Sequence, residues 1–201
     1  AFDASLRAPV TLTYDATIAV QGQEVPREIT RTLDTHGDGF VAVDAVSTPM
    51  GAATDSTMRD ARFHPFARRA AQGPVSLAFD FAPDRITGEV SAQGTATPVD
   101  VALDAPVAAD GASLAFGIGT LPLAEGYRAS FAGFDSQAQR PQTPVIEVTG
   151  RETIEVPAGT FETWGVEMTG GDGTAAGAGT YHVATDQPGG GVKTEVGRGP
   201  Q

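Results

Sequence analysis

Val145-Ile146-Glu147-Val148-Thr149-Gly150-Arg151-Glu152-Thr153-Ile154-Glu155-Val156, the turn Pro157-Ala158-Gly159, and Thr160-Phe161-Glu162-Thr163-Trp164-Gly165-Val166-Glu167-Met168-Thr169 decide the fold class of this 201-residue chain. Apolar and polar residues alternate on both sides of the turn, the period of a half-buried strand. Beyond the glycine-rich gap Gly170 to Gly179, Thr180 to Thr185 and Gly191 to Glu195 continue the pattern. Four consecutive antiparallel strands are expected here.

The same period runs through the rest of the chain. Val10, Leu12, Tyr14, Ala16, Ile18 and Val20 share one face of a first strand, with a turn at Gly22-Gln23. Val25, Ile29 and Leu33 continue to the turn Asp34 to Gly39, and Phe40 to Val46 answers. After Pro49-Met50-Gly51, shorter strands are expected at Ser56 to Phe63, Phe66 to Ala71, Val75 to Phe81, Ile86 to Ala92 and Thr97 to Leu103. His64-Pro65, Gln72-Gly73-Pro74, Pro83-Asp84 and Gln93-Gly94 punctuate them. Alternation fails from Asp110 to Ile118, so Ser113 to Leu121 reads as one short helix or irregular crossover, capped by Asp110 or Ser113 and stopped by Pro122. Strands resume at Tyr127 to Phe134, and Pro141-Gln142-Thr143-Pro144 is the best internal linker.

About a dozen strands with one helix need their apolar faces covered and their edges blunted. The expected architecture is mainly β: a single domain over 1–201, with a strongly curved antiparallel sheet forming a half-barrel or partly closed barrel.

Composition sets the environment. The 25 acidic residues outnumber the 13 basic ones for a net charge of -12, and Lys193 is the only lysine. Such a surface repels phosphate backbones and anionic headgroups, which argues against nucleic-acid binding. Many acids with almost no lysine suggest a salt-adapted bacterial source. No apolar run is long enough to span a membrane as a helix. Cysteine is absent, which removes disulfides, thiolate metal sites and thiol nucleophiles. Ala1-Phe2-Asp3 has neither a basic n-region nor an apolar h-region, and a start at Ala1 suits a mature exported protein.

Leu114 to Phe134 with Thr120-Leu121-Pro122-Leu123-Ala124-Glu125-Gly126-Tyr127, then Val148-Thr149-Gly150-Arg151-Glu152 and Pro157 to Trp164, resemble a family of bacterial envelope proteins of unknown function. The resemblance runs from about Tyr14 to Glu195, and Pro157-Ala158-Gly159-Thr160-Phe161 is its most specific part. Members look like relatives of the lipoprotein-localisation-factor and lipid-carrier half-barrels, in which a curved sheet wraps an apolar groove. That implies a periplasmic or extracellular location and an apolar ligand, and it brings no catalytic residues. The loop Gly170 to Gly179 departs from the tighter hairpin of that pattern.

Phe79, Phe81, Tyr127, Phe131, Trp164 and Met168, with Phe161, supply most of the large apolar volume. They are core residues or, on an uncovered sheet face, the lining of a lipid groove. Arg59, Arg62, Arg68 and Arg69, beside His64 and interleaved with Phe63 and Phe66, form the only basic concentration. Arginine forks there could seat an anionic headgroup or carboxylate, although outward arginines paired with nearby acids are the plainer account.

Other motifs fall short of a site. Asp34 to Gly39 imitates a calcium loop, but His36 holds the third position and Ala45 stands where the bidentate Glu belongs, so a plain turn is preferred. His36, His64 and His182 lack metal-pair spacing. Ser113 lacks the setting of a nucleophile elbow, and Gly117-Ile118-Gly119 meets Pro122 where a third glycine is required. Glu152, Glu155, Glu162 and Glu167 read as a solvated face rather than a glycosidase pair.

The expected function is non-catalytic binding of a lipid or other hydrophobic molecule, with no cofactor and no metal. The alternative is an interaction module that recruits an envelope protein by its edge strands. A hydrolase, third in order, needs His64 or His182 beside an acid or hydroxyl in a pocket.

Overall fold

A computed structural model describes residues 8–20, 23–48, 51–170, 178–186 and 191–196. Gly22, Pro49, Met50 and most of the loop Gly170 to Gly179 lie outside the described residues, as do Ala1, Phe2 and Asp3. The described chain is mainly β, with antiparallel pairing in its ladders and one short α-helix. The packing gathers the described residues in two compact units.

The first unit, Ala8–Pro106 with Asp110–Ser113, is an eight-stranded meander. Its strands are β1 (Val10–Val20), β2 (Gln23–His36), β3 (Gly39–Thr48), β4 (Gly51–Arg59), β5 (Pro65–Gln72), β6 (Val75–Ala82), β7 (Arg85–Ala92) and β8 (Thr95–Ala102). Each pairs with the next, and the order leaves β1 and β8 as edges, so the sheet is open rather than a closed barrel. Two-residue junctions join β2 to β3, β5 to β6, β6 to β7 and β7 to β8; at the last, Gln93 and Gly94 both have positive φ, 52° and 82°, as the turn that matches strand twist requires. The Asp34 to Gly39 segment is likewise a hairpin, in which His36 pairs with Gly39.

One strand boundary differs from expectation. Ser56 to Phe63 is not a continuous strand, because β4 ends at Arg59. The Asp60 carboxylate accepts from the backbone N–H groups of Arg62 and His64, and Phe63 takes a φ of 69°. A side chain that closes its own backbone turn competes with the ladder and ends it.

The second unit comprises Val107–Ala109 and the described residues from Leu114 onward. α1 (Leu114–Ile118) follows a 3-10 turn at Gly111–Ser113, so the helix is shorter than Ser113 to Leu121. Turn hydrogen bonds then run from Thr120 N to Gly117 O and from Leu121 N to Ile118 O before Pro122. Tyr127 to Phe134 divides into β9 (Arg128–Ser130) and β10 (Gly133–Asp135), which belong to different sheets. β10 pairs with β11 (Arg140–Gln142) in a two-stranded ribbon, so half of the expected linker is strand. β12 (Val145–Val156), β13 (Gly159–Thr169), β14 (Gly179–Ala184) and β15 (Gly191–Val196) are the four strands expected from the opening stretch. They form a five-stranded sheet in the order β15-β14-β13-β12-β9. The strands therefore divide among an eight-stranded meander, a five-stranded sheet and the β10–β11 ribbon, and residues 103–127 between β8 and β9 contribute no strand.

Candidate functional site

Register places a graded face on the eight-stranded meander. Val10, Leu33, Ala42, Thr57, Arg68, Phe79, Gly88 and Val99 are cross-strand partners in one unbroken rank. Side chains two residues along a strand share a face, so the next rank is Leu12, Arg31, Asp44, Asp55, Ala70, Leu77, Val90 and Thr97. The first rank is buried over most of its length, with Leu33, Ala42, Thr57 and Phe79 essentially inaccessible. In the second and third ranks Leu12, Tyr14, Ile29, Val46, Leu77 and Val90 are only half-buried, and Val75 is 46% exposed.

Charge marks the boundary between the buried and half-buried zones. Arg31 Nε and Nη2 donate to Asp44 Oδ1 and Oδ2, each at 2.7 Å. Arg68 Nε and Nη2 donate to Asp55 Oδ1 and Oδ2 at 3.0 and 2.7 Å, and its Nη1 reaches both oxygens of Asp110 at 3.2 and 3.1 Å. Asp44 and Asp55 are direct cross-strand partners, a like-charge pairing that destabilises unless offset. The flanking arginines supply that offset. Asp110 reaches the face because its carbonyl accepts from Thr57 Oγ1 and Gly111 holds a φ of 58°. A Cβ on Gly111 would stand 2.8 Å from Arg68 Nε, so only glycine lets the backbone lie over the guanidinium.

These contacts set the ionisation states. Burial draws the Arg68 guanidinium down, but the carboxylates of Asp110 and Asp55 outweigh it and hold it above its ordinary value. Burial pushes the Asp110 carboxyl up, against the pull of Arg68. Burial likewise raises the Tyr14 phenol, which lies under Arg31 with the guanidinium carbon 5.5 Å from the ring centre.

The four arginines do not form one basic patch. Arg59 is fully buried over the Phe63 ring, 4.3 Å from its centre, and Nη1 donates to the Phe63 carbonyl. Arg68 faces Asp55 and Asp110, and Arg69 faces Asp80 at 2.6 Å. Arg62 lies exposed in the Asp60 turn. Acid partners thus engage Arg68 and Arg69, Arg68 on the largely buried face and Arg69 in a more exposed position.

The aromatic candidates fall in both units. Phe79 and Phe81 lie on β6, Phe79 wholly buried and Phe81 half-buried. Met168 belongs to the five-stranded sheet's core with Ile118, Ile146, Val148, Val166, Tyr181 and Val183, and Tyr127, Phe131 and Trp164 pack against that cluster. Arg151 stands 4.6 Å over the Trp164 ring centre.

His182, on β14, lies beside acids that sequence spacing did not connect to it. Its Nδ1 is 3.8 Å from Glu152 Oε2, and its Nε2 is 3.8 Å from Glu195 Oε2. His64 Nδ1 is 3.9 Å from Asp60 in an exposed turn. Neither imidazole hydrogen-bonds a hydroxyl among the described residues, and no His, Asp or Glu group there has the form of a metal site. The missed signal was register: β12 and β14 are both partners of β13, so only the three-strand alignment brings Glu152 to His182.

A family model described as protein of unknown function (DUF3108) matches residues 2–194. The chain belongs to that family. No curated protein and no solved structure matches it. Within this DUF3108 chain, the graded face of the eight-stranded meander offers a half-covered apolar surface, and Arg31 and Arg68 on it are paired with Asp44, Asp55 and Asp110.

Proposed function

We propose that this protein binds a lipid or other hydrophobic molecule, without catalysis, against the half-buried part of the eight-stranded meander's graded face, in the bacterial envelope or outside the cell. The observation that carries the reading is the set Leu12, Tyr14, Ile29, Val46, Leu77 and Val90, which share one face and remain partly accessible, Leu12, Leu77 and Val90 within the rank of Arg31, Asp44 and Asp55 and the other three in the rank beyond it. An acyl or polyisoprenoid chain laid there would gain about 0.8 kcal/mol for each methylene removed from water. Phe79 forms the buried floor beside it. The envelope location rests on the resemblance to lipid-carrier half-barrels.

Native mass spectrometry of protein purified without detergent, with solvent extraction of the same sample, tests this. A discrete lipid-sized adduct, lost on replacing Leu12 and Ile29 by serine, is the expected result. A clean apo mass after incubation with mixed lipids would overturn it.

A second reading, recruitment of a partner chain by strand addition, is favoured by β1. That edge strand pairs with β2 through eleven consecutive residues without a register shift and contains no proline, whereas the opposite edge, β8, carries Pro98. Edges are ordinarily guarded by such breaks. A co-purified protein that is released when Thr13 is replaced by proline would support it.

A further inference from the structure

His182 is nearly inaccessible, with 6% of its side chain exposed, and its buried Nδ1 has no hydrogen-bond partner. Acids from two different strands flank the ring: Glu152 of β12 on the Nδ1 side and Glu195 of β15 on the Nε2 side. A neutral imidazole has one donor and one acceptor, so it leaves one carboxylate facing a lone pair. The imidazolium carries donors on both nitrogens and suits both acids at once.

The other groups around the ring sharpen this. From β15, Lys193 is the direct cross-strand partner of His182, but its Nζ lies 3.0 Å from Glu195 Oε1. From β13, the partner is Gly165; a Cβ there would meet Glu152 Oε1 and Thr149 Oγ1 at 2.6 Å, so the missing side chain makes room for both. Glu167 stands next on that face of β13, opposite Glu147 of β12 and Thr180 of β14. Among the described residues, Glu152 has no cation within 4 Å except His182. Lys193 answers Glu195, so Glu152 faces the imidazole with no lysine or arginine of its own among the described residues.

Register adds an independent observation. The β14–β15 ladder shifts between His182 and Val183, so hydrogen bonding is irregular at this place, and among the described strands β15 is an edge whose ladder partner is β14.

We propose that His182 is a proton-operated clamp: protonated, it ties Glu152 of β12 to Glu195 of β15 across β14, and on losing the proton it releases the edge strand. The clamp lies in the five-stranded sheet and goes beyond the ligand reading, which concerns the other meander. Imidazole is the side chain suited to such a change between about pH 5 and pH 8.

Hydrogen exchange of the β15 amides, corrected for intrinsic rates, tests it at about pH 5.5 and about pH 8. Protection in the wild type is expected to be roughly tenfold greater at the lower pH, equivalent to about 1.4 kcal/mol. His182→Gln should abolish the difference. Glu152→Gln, at a partly exposed position expected to tolerate the change, should reduce it with the far-ultraviolet spectrum unchanged. Equal protection at both pH values in the wild type would overturn the clamp, as would a difference of unchanged size in Glu152→Gln.

Discussion

Arg68 holds two carboxylates at once, and removing it leaves Asp55 and Asp110 on a largely buried face without their cation. Breaking a buried pair from one side typically costs about 3–5 kcal/mol, because the remaining charge is uncompensated. Arg68→Met is expected to lose that much in urea denaturation, well beyond what Arg62→Met loses in its exposed turn. Asp110 supplies a signed pH test. Its folded-state carboxyl is raised by burial, so its contribution to stability is complete below the unfolded value near about pH 4 and is lost as pH rises through the folded value. Asp110→Asn, which stays neutral throughout, should therefore gain on the wild type between about pH 4 and neutrality. A stability difference that stays constant or moves the other way over that range would contradict the assignment.

Between neighbouring strands, Gly39 and Gly88 face backbone carbonyls so closely that a Cβ would stand 1.9 Å from the oxygen of Arg59 or Ala78. Alanine at either position must push the paired strands apart, and a loss above about 3 kcal/mol is expected, in the exceptional range for point changes. Gly94→Ala meets open space and only the unfavourable φ of 82°, so about 1 kcal/mol is expected there. Thermal melts of the three variants separate close approach from backbone conformation.

Most of these elements were legible in the sequence because period-two alternation and Gly or Pro junctions act locally. The stretch Val145 to Glu195 gives four strands in order, and the turns after β2, β6 and β7 fall where expected. What escaped the sequence depends on contacts between distant residues. The Asp60 turn ended a strand early, and the β4–β5 register shift at Arg59 moved Arg68 onto the face it shares with Thr57 and Phe79. Arg31 and Asp44 are thirteen residues apart, and so are Asp55 and Arg68. That spacing becomes a signal only when the hairpin register is known. The split between β9 and β10 had no local marker stronger than Gly133.

At the scale of the whole chain, a net charge of -12 sets acid against acid over the surface. Salt screens such repulsion over a Debye length of about 10 Å at 0.1 M and about 3 Å at 1 M. The thermal midpoint is expected to rise from low to molar salt, measured in sodium chloride at fixed pH, and a flat response would contradict the idea of salt adaptation. The two packing units also interleave along the chain: Val107–Ala109 join one, and Asp110–Ser113 return to the other. Arg68 therefore leaves the ribosome 42 residues ahead of Asp110. At about 5–20 residues per second, its guanidinium waits roughly 2–8 seconds for that carboxylate. The rest of β5 and the strands β6 to β8 are translated in that interval, so all eight strands can pair as hairpins before it ends, but the nascent meander is completed only when a short segment from beyond its own last strand arrives.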